Sequence, residues 1–173
     1  MYDNIKNTFI FAPPKKVLPM RHFIIMSCFL IFLSSCKPSN QKLNWLSMTQ
    51  ASDIVAKSGN KKKFLIDVYT DWCSWCKVMD KKTFTDPELI KYLNENFNVV
   101  KFNAEQRESL IFNGKEYVWV LSGRNGVNTL ALELLQGRMS YPSLVYLNEK
   151  LEPILVSPGF KDANALMSEL KSL

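Results

Sequence analysis

The sequence predicts one α/β domain over about residues 45–173, and three observations predict it. Apolar runs of strand length alternate with segments of helical periodicity. One such run, Phe64–Thr70, is continuous enough for a strand buried on both faces, and passes directly into a helix. Two further strand-like runs near the C-terminus, Ser143–Leu147 and Pro153–Val156, flank a turn at Asn148-Glu149-Lys150, the pattern of an antiparallel hairpin.

The elements follow in order. Leu46–Lys57 has helical spacing, with Leu46, Ala51, Ile54 and Val55 on the apolar side and Gly59-Asn60 as a stop. After the strand Phe64–Thr70, a helix is expected from Cys73 to Lys82. Asp86 then supplies an N-cap and Pro87 the first position of a helix through Asn96. Asn98–Asn103 completes a β–α–β unit. In Leu110–Leu121, Asn113-Gly114 between apolar residues marks a hairpin. Val127–Gln136 reads as helix through Leu130, Leu134 and Leu135, with Gly137 as a stop, and Asp162 caps a final helix presenting Leu166, Met167 and Leu170.

Cys73-Ser74-Trp75-Cys76 carries the chemistry. Two thiols at the start of a helix lie where about half a positive charge favours thiolate over thiol. Cys73 is therefore the expected nucleophile. Cys76, one turn further in, is the expected resolving thiol and the disulfide partner of Cys73. A strand–CxxC–helix arrangement marks thiol–disulfide exchange. Such exchange needs control of the second sulfur's proton. Asp67, an acid inside the apolar strand, is the expected group, since burial raises a carboxyl pKa towards neutrality. Asp71 is expected in the exposed turn as a solvated residue. Trp72 is expected to pack beside the sulfurs and present a docking surface, with Trp75 exposed.

The run from Phe64 through Asp67 and Trp72-Cys73-Ser74-Trp75-Cys76-Lys77 resembles the active-site strand and loop of the thioredoxin superfamily. With Thr83-Phe84, Asp86-Pro87 behind it, it is similar to the C-terminal periplasmic domain of the thiol:disulfide interchange protein DsbD and its free-standing relatives. The resemblance implies a thioredoxin-like fold, a central mixed sheet flanked by helices. It makes Asp80 a second acid and Tyr141-Pro142 a cis-proline loop whose Tyr141 backbone pairs with a bound substrate chain. The implied partners are protein thiols and disulfides, with a membrane electron donor of the DsbD type. Two departures stand out: an insert at about 106–138 before the cis-proline loop, and a Ser-Trp dipeptide that is neither Gly-Pro nor Pro-His.

Residues 1–36 read as a signal segment. Met20-Arg21-His22 precedes an apolar run, Phe23–Leu33, too short to cross a bilayer comfortably, then Ser34-Ser35-Cys36. Met20 is an alternative start. Leu33–Cys36 resembles the bacterial lipobox, which implies lipidation at Cys36 after cleavage just before it, leaves Cys28 in the removed piece, and makes residues 37–44 a tether. The expected location is extracytoplasmic, on the periplasmic side, as a membrane-anchored lipoprotein, where disulfides persist.

Other classes fit poorly. Residues 1–36 hold four basic side chains against one acid, so the remainder of this chain of formal charge +6 has 18 against 15. Its one basic triplet, Lys61–Lys63, reads as a solvated turn, and no nucleic-acid partner is expected. A lone CxxC supplies two of the four ligands that structural zinc takes, the sole histidine is His22, and only Met79 lies near for copper(I), so no metal or cofactor is expected. The competing function is a non-catalytic thioredoxin-like adaptor or chaperone module, binding partner chains through Phe112, Tyr117 and Trp119 of the insert.

Overall fold

A computed structural model describes residues 41–57, 59–123 and 125–173, so the signal segment, Cys28 and the Cys36 lipidation site lie outside the described residues. The chain forms α1 (Met48–Ala56), β1 (Lys63–Tyr69), α2 (Ser74–Lys82), α3 (Pro87–Asn96), β2 (Phe97–Asn103), β3 (Leu110–Phe112), β4 (Lys115–Tyr117), β5 (Trp119–Val120), β6 (Val127–Asn128), α4 (Thr129–Leu134), β7 (Ser143–Leu147), β8 (Pro153–Pro158) and α5 (Ala163–Lys171). Among the described residues, no helix is long and apolar enough to cross a membrane.

Four strands make one mixed sheet in the order β2-β1-β7-β8. β1 runs parallel to β2 and antiparallel to β7, and β7 pairs antiparallel with β8. β1 is thus an interior strand, which excludes an edge position for Asp67. Strand side chains alternate between faces, and β1 divides its residues accordingly. Phe64, Ile66 and Val68 pack with Met48 and Ala51 of α1 and Leu130 and Leu134 of α4. Leu65 packs on the opposite side with Met79 of α2, Leu89 and Leu93 of α3, and Leu166 and Leu170 of α5. Each such fully buried aliphatic side chain contributes about 2 kcal/mol from apolar burial.

Local signals place most helix starts. Asp86 accepts from the Leu89 amide at 2.9 Å with Pro87 behind it, and Asp162 accepts from the Ala165 amide at 2.8 Å. α1 begins later than its apolar spacing suggests. Ser47 and Gln50 form a reciprocal capping box, and Leu46 is held as a parallel bridge to Val100 instead. Packing also starts before residue 45, because Leu43 is buried against the α3 side of the sheet. Lys61–Lys63 is not a free turn: the Lys62 and Lys63 ammoniums donate to the carbonyls of Asn94 and Leu173 at 2.7 Å each.

The insert differs from expectation in two ways. Val127-Asn128 is not the first turn of a helix but a strand paired with Trp119-Val120, and the helix starts only at Thr129, capped by Asn128. Pairing with β5 captures these residues, because the Thr129 amide donates to the Val118 carbonyl and the Val118 amide to Thr129 Oγ1. The β3–β4 hairpin turns at Asn113 and Gly114 as expected, both at positive φ. Phe112 and Tyr117, offered above as an adaptor's binding surface, are instead buried in the core with Leu110. Their apolar area is already used.

Gly126 sits at φ +73°, where an added Cβ points directly onto the Trp119 ring. Gly126→Ala is expected to cost about 2 kcal/mol or more, from left-handed backbone strain and overpacking together. Gly114→Ala, with nothing within 4 Å, is expected to lose less. Thermal unfolding of the two variants checks this, and equal losses would refute the close Trp119 contact.

Candidate active site

β1 ends at Tyr69, and the chain turns through Thr70–Trp72 into α2. Cys73 is the N-cap of that helix. Its amide donates to the Thr70 carbonyl at 3.2 Å, and its Sγ accepts from the Cys76 amide at 3.0 Å. An amide aimed at the sulfur and the helix N-terminus behind it both favour negative charge there. Lys81 and Lys82 occupy the negative end of the same helix. Cys73 and Cys76 form the expected disulfide, with Cα atoms 5.3 Å apart. Each cysteine is only 4% exposed, so a partner reaches sulfur only by lying against the surface around it.

That surface is aromatic. Trp72 and Trp75 are 58% and 60% exposed. Trp72 meets Tyr141 edge-on with ring centroids 5.9 Å apart, and Trp75 meets Phe160 at 5.4 Å. The Tyr141–Pro142 peptide is cis, and the Pro142 carbonyl accepts from the Gly159 amide at 2.8 Å. Trp75, Tyr141, Pro142, Gly159 and Phe160 line a groove of about 280 Å³. A larger hollow, about 560 Å³, lies along β8 between Ser140 and Pro158. Burial, with the nearby Glu105 carboxylate, pushes the Tyr141 hydroxyl up to about 12.

Asp67 is 2% exposed and shares a face of β1 with Leu65 and Tyr69, the face that α2 covers. Lys101 of β2 stands opposite it in register, with Nζ 3.5 Å from Asp67 Oδ2. The same ammonium pairs with Asp80, one turn beyond Cys76 on the same face of α2. It also lies 5.1 Å from the ring centroids of both Trp45 and Tyr69. Asp67 Oδ1 has no hydrogen-bond partner. Burial raises the Asp67 carboxyl from 3.8 to about 6; Lys101 pulls it down and Asp80 pushes it up. The arrangement holds a disulfide at the start of α2 and, in β1, a buried carboxyl raised to about 6, with Lys101 linking that carboxyl to Asp80 of the same helix. Asp71 is exposed, and accepts a hydrogen bond from Asn103 Nδ2 at 3.1 Å.

The family model described as "Thioredox_DsbH: Protein of unknown function, DUF255" matches residues 32–168. The chain belongs to that family. An uncharacterized Caenorhabditis elegans protein is 30% identical over 116 residues, which cover 67% of this chain and 14% of that protein. The thiol:disulfide interchange protein DsbD of Photorhabdus laumondii is 30% identical over 71 residues, 39% of this chain and 12% of its own length. The chain thus spans a small part of these relatives. A solved structure described as DsbH Oxidoreductase superposes with TM-score 0.54 at 18% identity, covering 81% of this chain and 90% of that one. The fold is thioredoxin-like.

In this Thioredox_DsbH chain the structure gathers Cys73, Cys76, Trp72, Tyr141 and Pro142 around one face, and sets Asp67 and Asp80 behind it on Lys101. Three residues were missed in the sequence: Lys101, Glu105 and Phe160, which meets Trp75 from just beyond β8. Lys101 had a signal, a lone lysine among Val99, Val100 and Phe102 in a strand. Glu105 had none, since its hydrogen bond to Trp72 spans 33 residues.

The raised Asp67 carboxyl has a stability consequence. The native state binds this proton more tightly than the unfolded chain, so the stabilisation is complete below 3.8 and is lost as pH rises through about 6. Asp67→Asn removes the charge that burial penalises. The variant is expected to be more stable than the parent above pH 6, by on the order of 1–3 kcal/mol, with the gain vanishing near pH 4. Unfolding curves at pH 4 and 8 check the sign; a difference independent of pH would refute it.

Proposed function

We propose that this protein is an extracytoplasmic thiol–disulfide oxidoreductase that reduces partner proteins. The observation that carries the reading is the Cys73–Cys76 pair at a helix N-terminus, bonded to each other, with a buried carboxyl near neutrality linked to the same helix. Identity with part of DsbD supports the same chemistry.

In the reduced form, the Cys73 thiolate attacks one sulfur of a partner disulfide. A Cys73–partner bond forms as the partner's S–S bond breaks and its other sulfur leaves as thiolate. The Cys76 thiol then gives its proton to Asp67, and the resulting thiolate attacks the Cys73 sulfur. The mixed disulfide breaks, the Cys73–Cys76 disulfide forms, and the partner's second sulfur leaves. Two electrons have passed to the partner, whose thiolates take up protons from solvent. A membrane dithiol donor of the DsbD type restores the reduced form by the reverse exchange. The Tyr141 backbone pairs with the partner chain, Trp72 and Pro142 flank it, and Asp80 acts through Lys101 as the second acid.

Residues 1–36 act as the signal segment, Cys36 carries lipid, and the residues after it tether the domain to the membrane. Within the insert, the burial of Phe112 and Tyr117 weighs against the adaptor reading.

Three experiments test this. Cys76→Ser, offered oxidised extracytoplasmic proteins, is expected to accumulate mixed disulfides through Cys73. Recovering no adduct that disappears in Cys73→Ser would overturn the exchange reading, and a strongly oxidising potential in a glutathione titration would overturn its direction. Cells given labelled fatty acid are expected to label the protein through Cys36; label persisting in Cys36→Ser would exclude that anchor.

A further inference from the structure

The segment before Cys73 is fastened from outside its own neighbourhood. Trp72 Nε1 donates to Glu105 Oε1 at 2.9 Å, and Asn125 Nδ2 donates to the same oxygen at 3.3 Å. Glu105 is itself held, because its amide donates to Asn103 Oδ1 at 2.9 Å, while Asn103 Nδ2 reaches Asp71 at 3.1 Å. Beyond Trp72, the indole meets Tyr141 edge-on. An indole 58% exposed has little packing to hold it, so the bond to Glu105 decides where the ring stands. A bond between an N–H and a carboxylate is about twice as strong as one between neutral groups. Asn103 ends β2 and Asn125 lies in the loop just before β6. The segment between β2 and the cis-proline loop therefore reaches back to the reactive face at one carboxylate.

We propose that Glu105 is a positioning residue for partner docking: its carboxylate holds Trp72 against Tyr141, building one wall of the surface against which a partner's cysteine-bearing chain lies. This rests on the exchange reading above. Glu105 touches neither sulfur, so its role acts through Trp72 and concerns binding rather than sulfur chemistry. The acceptor matters, not the size of the side chain. Glu105→Gln keeps a carbonyl oxygen for the indole, whereas Glu105→Ala leaves an exposed ring with no anchor.

The test uses the full chain in detergent, labelled with 5-fluorotryptophan, and a disulfide-bonded peptide as substrate. The Trp72 resonance is assigned by its loss in Trp72→Phe. Glu105→Ala is expected to shift and broaden that resonance and to raise KM for the peptide about five- to tenfold, with kcat moving less than twofold. Glu105→Gln is expected to restore most of both. Trp72→Phe, which keeps a ring but has no N–H, is expected to raise KM similarly, and the double variant to add little more. An unmoved Trp72 resonance, full additivity, or equal losses in Glu105→Ala and Glu105→Gln would overturn the proposal. Should Glu105→Ala not fold, the Gln and Phe variants carry the comparison. A parent protein inert towards the peptide would instead overturn the exchange reading, and the fluorine spectra would still decide whether Glu105 holds the ring.

Discussion

A carboxyl inside a four-stranded sheet is the constraint around which this domain is arranged. Left alone, a charged Asp67 would cost several kcal/mol in that environment. Lys101 offsets part of that cost, and can do so only because β1 and β2 are parallel in the register that sets the two residues side by side. Lys101 in turn is not a free surface lysine. Its ammonium lies over the rings of Trp45 and Tyr69 and is shared with Asp80. The compensation is incomplete, since the carboxyl stays near 6 and one of its oxygens has no hydrogen-bond partner. A fully satisfied Asp67 would be a firm anion, unable to take up a proton near neutrality. The residual penalty is what makes it able to do so.

The opposite problem is solved on the outer face. Two tryptophans and a phenylalanine are left partly in water, where apolar area has no favourable partner within the chain. They are not loosely displayed. Trp72 is tied to Glu105 and set against Tyr141, and Trp75 is set against Phe160. Elsewhere the aromatic residues of the insert turn inward: Phe112 and Tyr117 join the core, and Tyr117 donates its hydroxyl to Glu133 at 2.7 Å. Exposed aromatic surface among these residues is concentrated beside the disulfide.

What the sequence made legible was what short-range physics decides. Asp86-Pro87 placed the start of α3 because a cap and a proline act within one turn, and Asn113-Gly114 placed its hairpin because both residues tolerate positive φ. Cys73, Cys76 and Asp67 could be read together because strand, turn and helix are contiguous. Val127-Asn128 was misread because its local pattern fits a helix while its partner, Trp119-Val120, lies across a loop. Leu46 was misread for the same reason, held by Val99 and Lys101 of a strand far along the chain. Lys101 and Glu105 belong to the site only through the parallel β1–β2 pairing and the path of the chain after β2, neither of which is written in any window of neighbouring residues.

The two cysteines illustrate how position alone separates chemically identical groups. Cys73 caps the helix, and its sulfur accepts from the Cys76 amide, a position that favours negative charge. Cys76 lies inside the first turn, one turn before Asp80, whose carboxylate shares Lys101 with Asp67. In the proposed exchange, Asp67 is the group that takes the Cys76 proton. The two sulfurs thus differ in place: one caps the helix and the other sits within its first turn. The order of events in the proposed exchange, attack by the first and resolution by the second, follows from that asymmetry and does not depend on the reduction potential of the pair.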